Sequence, residues 1–265
     1  MVRHRSDDIQ PVDAQSKAAV ADRRAAAVPV LLLPGTLCDE RVFQPLLDRL
    51  PKMRAQVVEL TGTESANAMA RRILADAPYR FALIGFSLGG IVGLEILALA
   101  PERVVGIALV ATNPGAADPQ RHAMRRAAVA DADSRGIAVH TADTLWPTYS
   151  GAAPTDEAIR DLVVDMARRA APASYREQTE IALGRADSRN RLASCKGPVL
   201  VLGGDADRVT PIAVQHDLVA PGAVFATVPG AGHFLLLENP DAAAAHIGRW
   251  HAQLSLVSAT VPTAL

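Results

Sequence analysis

Short, continuous apolar runs recur along this chain, each separated from the next by a stretch with helical character. Residues 28–33, 81–86, 104–110 and 198–203 read VPVLLL, FALIGF, VVGIALV and PVLVLG, and residues 55–60 and 223–228 add AQVVEL and AVFATV. A strand with one wet face alternates apolar and polar residues. An uninterrupted apolar run is covered on both faces, which is the pattern of a parallel sheet. Helical segments at 42–50, 65–76, 89–99, 209–219 and 241–254 supply the crossovers that such a sheet requires. From about residue 118 to 191 the alternation stops and only helical periodicity remains. It includes 155–170, where Ile159, Leu162, Val163 and Met166 share a stripe. The expected architecture is α/β, a mostly parallel sheet flanked by helices and carrying an inserted helical cap. The core comprises 28–115 and 193–254, the cap 116–192, and the flexible ends 1–27 and 255–265.

A length of 265 residues suits one large domain with an insertion. The net charge of −1 offers no electrostatic case for nucleic acid or an anionic membrane. No apolar run reaches the ~18 residues of a membrane span, and the polar N-terminus lacks the apolar stretch of a secretory signal. Cys38 and Cys195 have no metal-like spacing and read as incidental thiols in a reducing compartment. These features describe a cytoplasmic protein.

The run 81–99 enters a turn at Gly85-Phe86-Ser87-Leu88-Gly89 and continues as a helix. Glycines two residues either side of a serine permit a sharp strand-to-helix turn that lifts the hydroxyl to the top of the sheet. A serine nucleophile needs a base, and the base needs an orienting carboxylate. Of seven histidines, His4 is in the N-terminal segment, His122 and His140 fall in the cap, and His216, His246 and His251 fall in helical patterns. His233 stands apart in PGAGHF, a Gly-rich loop directly after the last strand. For the acid, the loop GGDADRVTP offers Asp207, deeper in the loop and preferred, with Asp205 as the alternative. The order serine, aspartate, histidine is the one expected on such a sheet, where functional groups gather at the strands' carboxyl ends.

With GFSLGG, GDADRVTP and GAGHFLLLENP in this order, the chain resembles the α/β-hydrolase superfamily. Within it, LLLPGTLCDERVF and SLGGIVGLEILALAPERVVGIALVAT resemble small capped carboxylesterases such as the pimeloyl-carrier-protein methyl ester esterases. The resemblance implies an acyl-enzyme on Ser87, with His233 as base and Asp207 as its partner. It also implies an oxyanion hole from the amides of Leu88 and Thr36. Thr36 follows Pro34-Gly35, where relatives usually carry His-Gly, and the segment ELTGTES departs from their Gly-rich loop. No metal or organic cofactor is implied. The implied substrate is a small or medium ester, free or borne on a carrier protein. Thioester hydrolysis, carbon-carbon bond chemistry and ligand binding without turnover are the alternatives on the same fold. Cys38 reads as a small packed residue, and Trp146, Tyr149 and Tyr175 read as cap packing or substrate contacts. Arg121, Arg125, Arg126, Arg168 and Arg169 are nearly balanced by Asp118, Asp131, Asp133, Asp161 and Asp165. That balance reads as a solvated mixed-charge surface.

Overall fold

The computed structural model describes residues 28–150, 156–218 and 222–260, with side chains described as far as residue 254. The expected flexible segment 1–27 lies outside the described residues, as does 261–265. Six strands form one sheet: β1 (Val30–Leu33), β2 (Ala55–Val57), β3 (Phe81–Phe86), β4 (Val104–Val110), β5 (Val199–Gly204) and β6 (Val224–Val228). Their order is β2-β1-β3-β4-β5-β6, and every pairing is parallel. The chain steps from β1 outward to β2, then returns to the other side of β1 for β3. The loops leaving β1 and β3 therefore diverge, opening the crevice where open α/β sheets bind ligands.

Successive strand residues point to opposite faces, and both faces are covered. Val30, Leu32, Ile84, Ala108 and Leu202 join one buried cluster with α1 (Gln44–Arg49) and α11 (Pro240–Thr260). Leu31, Leu33, Leu83, Ile107 and Val201 join another with α2 (Ala66–Asp76) and α3 (Leu88–Leu99). This two-sided burial is the physical reason for the uninterrupted apolar runs. The edge strand β2 breaks that rule, with Gln56 exposed and its neighbours half-buried.

Between β4 and β5 the chain is helical, as the periodicity predicts. It forms α4 (His122–Arg135), α5 (Ile137–His140), α6 (Trp146–Tyr149), α7 (Glu157–Arg169) and α8 (Ser174–Leu183). Trp146, Val163 and Met166 enter the first cluster, while Ile181, Ala182 and Leu192 enter the second. The insertion thus packs into the apolar core of the sheet. The helix expected over 155–170 is α7, with Asp156 accepting from the Ala158 amide as its N-cap.

Element ends differ most from expectation in three places. The segment 209–219 yields only α9 (Ile212–Gln215) and a 3-10 turn, His216–Leu218, because residues 207–210 form a side-chain-bonded loop and Pro211 can only begin a helix. The second strand stops at Val57 instead of residue 60. At the other end, α11 runs to Thr260, so part of the expected flexible tail is helical. The segment SLVSAT holds neither glycine nor proline, and the first breaker is Pro262. No helix among the described residues is long and apolar enough to cross a membrane.

One approach sets the geometry of the turn. A Cβ on Gly89, in the first turn of α3, would lie 2.0 Å from the Leu33 carbonyl oxygen of β1. One on Gly85 would lie 2.6 Å from the Gly90 Cα. Gly89→Ala is expected to cost about 3 kcal/mol of stability, because backbone cannot retreat as a side-chain tip can. Urea denaturation measures it, and an unchanged midpoint would contradict this contact.

Candidate active site

Ser87 occupies the turn between β3 and α3 with φ 51° and ψ −111°. Non-glycine backbone at positive φ costs about 1–3 kcal/mol and persists only where its surroundings impose it. Here the Ser87 N–H donates to the Val110 carbonyl of β4 at 2.8 Å, while Gly85 and Gly89 allow the close packing. A serine at a helix N-cap ordinarily bonds an amide of its own helix. In this geometry it makes no such bond. Its Oγ lies instead 2.9 Å from His233 Nε2.

His233 sits in the loop after β6 and is buried. Its Nδ1 lies 2.9 Å from Asp207 Oδ2, in the loop after β5. With Nδ1 protonated and donating to Asp207, Nε2 is the acceptor for the Ser87 hydroxyl. The Asp207 side chain is fully buried, yet its other oxygen accepts from the amides of Val209 (2.8 Å) and Thr210 (2.9 Å). A buried carboxylate requires that degree of satisfaction. Asp205, the alternative read from sequence, is exposed and accepts from the Gly230 amide at 2.7 Å, bracing the histidine loop. Thr36 and Leu88 line the same cavity of about 380 Å³ as Ser87 and His233. Leu88 is the first residue of α3, so its N–H belongs to the turn with no intrahelical acceptors.

Three further residues hold these groups, of which the sequence singled out only Tyr149, as cap packing or a substrate contact. Gln178 of α8, buried, accepts from the Leu37 amide at 2.8 Å and donates to the Leu60 carbonyl at 3.0 Å. It thereby ties the loops after β1 and β2 to the inserted helices, at a point where Leu37 has φ 58°. Glu238 of α10 (Leu235–Glu238) accepts from the amides flanking His233, those of Gly232 (2.6 Å) and Phe234 (2.9 Å). Burial raises its carboxyl pKa, opposed by those two amides. Tyr149 stacks on His233 at 5.6 Å between ring centroids, and its carbonyl accepts the His233 N–H at 3.2 Å. Gln178 and Tyr149 act across long sequence separations, whereas Glu238 lies within the histidine-loop motif, close in sequence to both of its partners.

Cys38 lines the cavity, but burial and then Asp39 push its thiol pKa up, which disfavours the reactive thiolate. Tyr175 also lines it. His140, buried, stands between Tyr175 Oη (3.3 Å) and Asp131 Oδ2 (2.7 Å). The arginines read as one mixed-charge surface divide into two groups. Arg126 pairs with Glu180, and Arg168 and Arg169 pair with Asp165, all at the surface. Arg121 and Arg125 line the cavity.

Gln178→Leu strips the Leu37 amide of its acceptor while keeping most of the side-chain volume. Hydrogen exchange at Leu37 should accelerate and stability should fall by about 1–3 kcal/mol. NMR exchange and urea denaturation measure these, and unchanged protection at Leu37 would contradict the bracing role.

The chain is 28% identical over 249 residues to the pimeloyl-[acyl-carrier protein] methyl ester esterase of Xanthomonas campestris pv. campestris, covering 85% of this chain and 95% of the relative. It is 26% identical over 230 residues to the protein of that name from Aliivibrio salmonicida, covering 80% and 87%. Among solved structures, a thermophilic esterase from Thermogutta terrifontis superposes with a TM-score of 0.76 at 21% identity, covering 87% of this chain and 91% of that one. The enol-lactonase from Burkholderia xenovorans LB400 superposes with a TM-score of 0.75 at 20% identity, covering 87% and 93%. These two share the fold. The family model described as "Alpha/beta hydrolase family" matches residues 63–246. By that match, over more than half of its length, the chain belongs to the alpha/beta hydrolase family.

Proposed function

We propose that this protein is a serine carboxylic-ester hydrolase acting through an acyl-enzyme on Ser87. The observation that carries the proposal is the hydrogen-bonded run from Ser87 Oγ through His233 to Asp207, both links at 2.9 Å. In the proposed reaction Ser87 Oγ attacks the ester carbonyl carbon as its proton passes to His233 Nε2. Asp207 holds the imidazole in the accepting tautomer and stabilises the imidazolium that forms. The carbonyl oxygen becomes an oxyanion received by the amides of Leu88 and Thr36. Each such donor is worth ~10²–10³ in rate, and the positive end of α3 adds to it. The carbon–oxygen bond then breaks, and the leaving alcohol takes the proton from Nε2. Water, deprotonated by His233, attacks the acyl carbon and releases the acid, restoring Ser87.

Residues 116–192 serve in this proposal as a cap over the nucleophile, around an ester of small or medium size. The names of the relatives extend the substrate class to esters borne on an acyl carrier protein. Gln178 and Tyr149 then couple the cap to the oxyanion loop and the base. A shift of the cap is felt at both.

Ser87→Ala should lower hydrolysis of p-nitrophenyl butyrate by ~10⁴-fold or more and abolish labelling by a fluorophosphonate. A variant still turning over at the wild-type rate would overturn the proposal. The two aspartates separate by role. Asp207→Asn should reduce kcat on the order of 10³–10⁴-fold through loss of the productive tautomer. Asp205→Asn should leave kcat within a few-fold while lowering thermal stability by about 1 kcal/mol. The reverse ranking in steady-state kinetics would reassign the acid.

A further inference from the structure

We propose that the cavity is built for an ester that carries a carboxylate, held by Arg125 of α4, Arg121 just before it and Arg185 just after α8, all of which line the cavity with Ser87. This rests on the reading of Ser87 as an esterase nucleophile and names the class of ester. Arg121, Arg125, Arg185 and Arg208 line the cavity, and no aspartate or glutamate among the described residues does. In a chain whose net charge is −1, that wall departs from the overall balance.

Three arginines on the helical side line the cavity with little neutralisation, Arg185 half-buried and Arg121 and Arg125 exposed. Arg185, after α8, donates from Nε to the Gly115 carbonyl at 2.9 Å and from Nη1 to the Ala182 carbonyl at 2.7 Å. Those bonds hold its guanidinium in place, and it has no carboxylate partner among the described residues. Burial, then the charges of Arg125 and Arg121, lower its pKa. Arg125 makes no hydrogen bond or ion pair among the described residues. Its charge is felt at the phenols of both Tyr149, which stacks on His233, and Tyr175. Arg121 has only a loose contact with Asp118, at 3.9 Å. The adjacent Arg126, by contrast, forms a two-point pair with Glu180 at 2.8 Å on the outside.

Like charges gathered without a counter-ion destabilise a fold, and a bound anion removes that cost. Guanidinium forks match carboxylate oxygens geometrically. Tyr175, fixed by His140, puts a hydroxyl on the same wall. A volume of about 380 Å³ accommodates an ester group near Ser87 and a short chain ending in a carboxylate near the arginines.

The test compares monoethyl adipate, a half-ester with a free carboxylate, with ethyl hexanoate, its neutral counterpart of equal chain length. Wild type should favour the half-ester in kcat/KM by on the order of tenfold or more, chiefly through KM. Arg125→Gln should bring that ratio close to one, and Arg126→Gln should keep it. Arg185→Lys, which retains charge but loses the fork, should lower the ratio part way. No preference in wild type, or an unchanged ratio in Arg125→Gln, overturns the proposal. The latter result would assign these arginines to the outer face, as contacts for an acidic protein. Calorimetry of adipate on Ser87→Ala separates the two readings. Adipate binding that depends on Arg125, with neither ester hydrolysed by wild type, supports the anion site and refutes the esterase reading. Hydrolysis of both esters without adipate binding refutes the anion site alone.

Discussion

The first turn of α3 lies against β1 so closely that a single methyl group would collide with the Leu33 carbonyl. That contact, made possible by Gly89, forces the chain to leave β3 and enter the helix without an intervening loop. Ser87 takes up the geometry with a positive φ, and its side chain is thereby turned away from the amides it would otherwise cap. Every other part of the site is arranged around the hydroxyl that this turn presents. The strain is tolerable because β3 lies inside the sheet, flanked by β1 and β4, and the Val110 carbonyl holds the Ser87 amide.

The loops around that hydroxyl are held by carboxylates and amides with distinct tasks. Asp207 addresses His233 directly, Asp205 holds the loop from outside through Gly230, and Glu238 clamps the backbone on both sides of His233. The loops after β5 and β6 also touch through backbone, with Ala206 donating to the Ala231 carbonyl at 3.0 Å. A site made of loops from separate strands is only as well ordered as such cross-links make it. Gln178 performs the same service for the loops after β1 and β2, from a helix of the insertion.

The inserted helices consequently have two roles. Their apolar residues, Trp146, Met166 and Ile181 among them, extend the clusters on the sheet's two faces and anchor the insertion. Their polar residues either reach toward the site, as Gln178, Tyr149 and Tyr175 do, or pair at the surface. Surface pairs contribute little to stability. Arginines that line a cavity without a close carboxylate partner, as Arg125 and Arg185 do among the described residues, are a different matter, and they carry the proposed anion site.

Much of this was legible in the residues. Uninterrupted apolar runs report burial on both faces, so the parallel sheet could be read from β1, β3, β4 and β5. Ser87, Asp207 and His233 could be picked out because each lies just beyond a strand in a loop of distinctive glycine, aspartate or proline spacing. What failed to show locally depends on approach in space. Position in the loop favoured Asp207 over Asp205, but the deciding difference is which carboxylate the loop turns inward, 2.9 Å from His233, and which it leaves bonded to Gly230. Gln178 and Tyr149 carry no pattern, since their partners are brought to them by packing of distant elements, while Glu238 clamps its own loop and shows that role only in the loop's folded geometry. The same holds for charge. Alternating arginines and aspartates along 118–169 read as a mixed surface, and only the helix orientations send Arg126 outward to Glu180 and Arg125 toward the cavity. Local periodicity and turn chemistry therefore determined the fold and singled out Ser87, Asp207 and His233. Tertiary packing alone decided which groups hold them and what charge lines the cavity, because those properties belong chiefly to contacts between residues far apart in the chain.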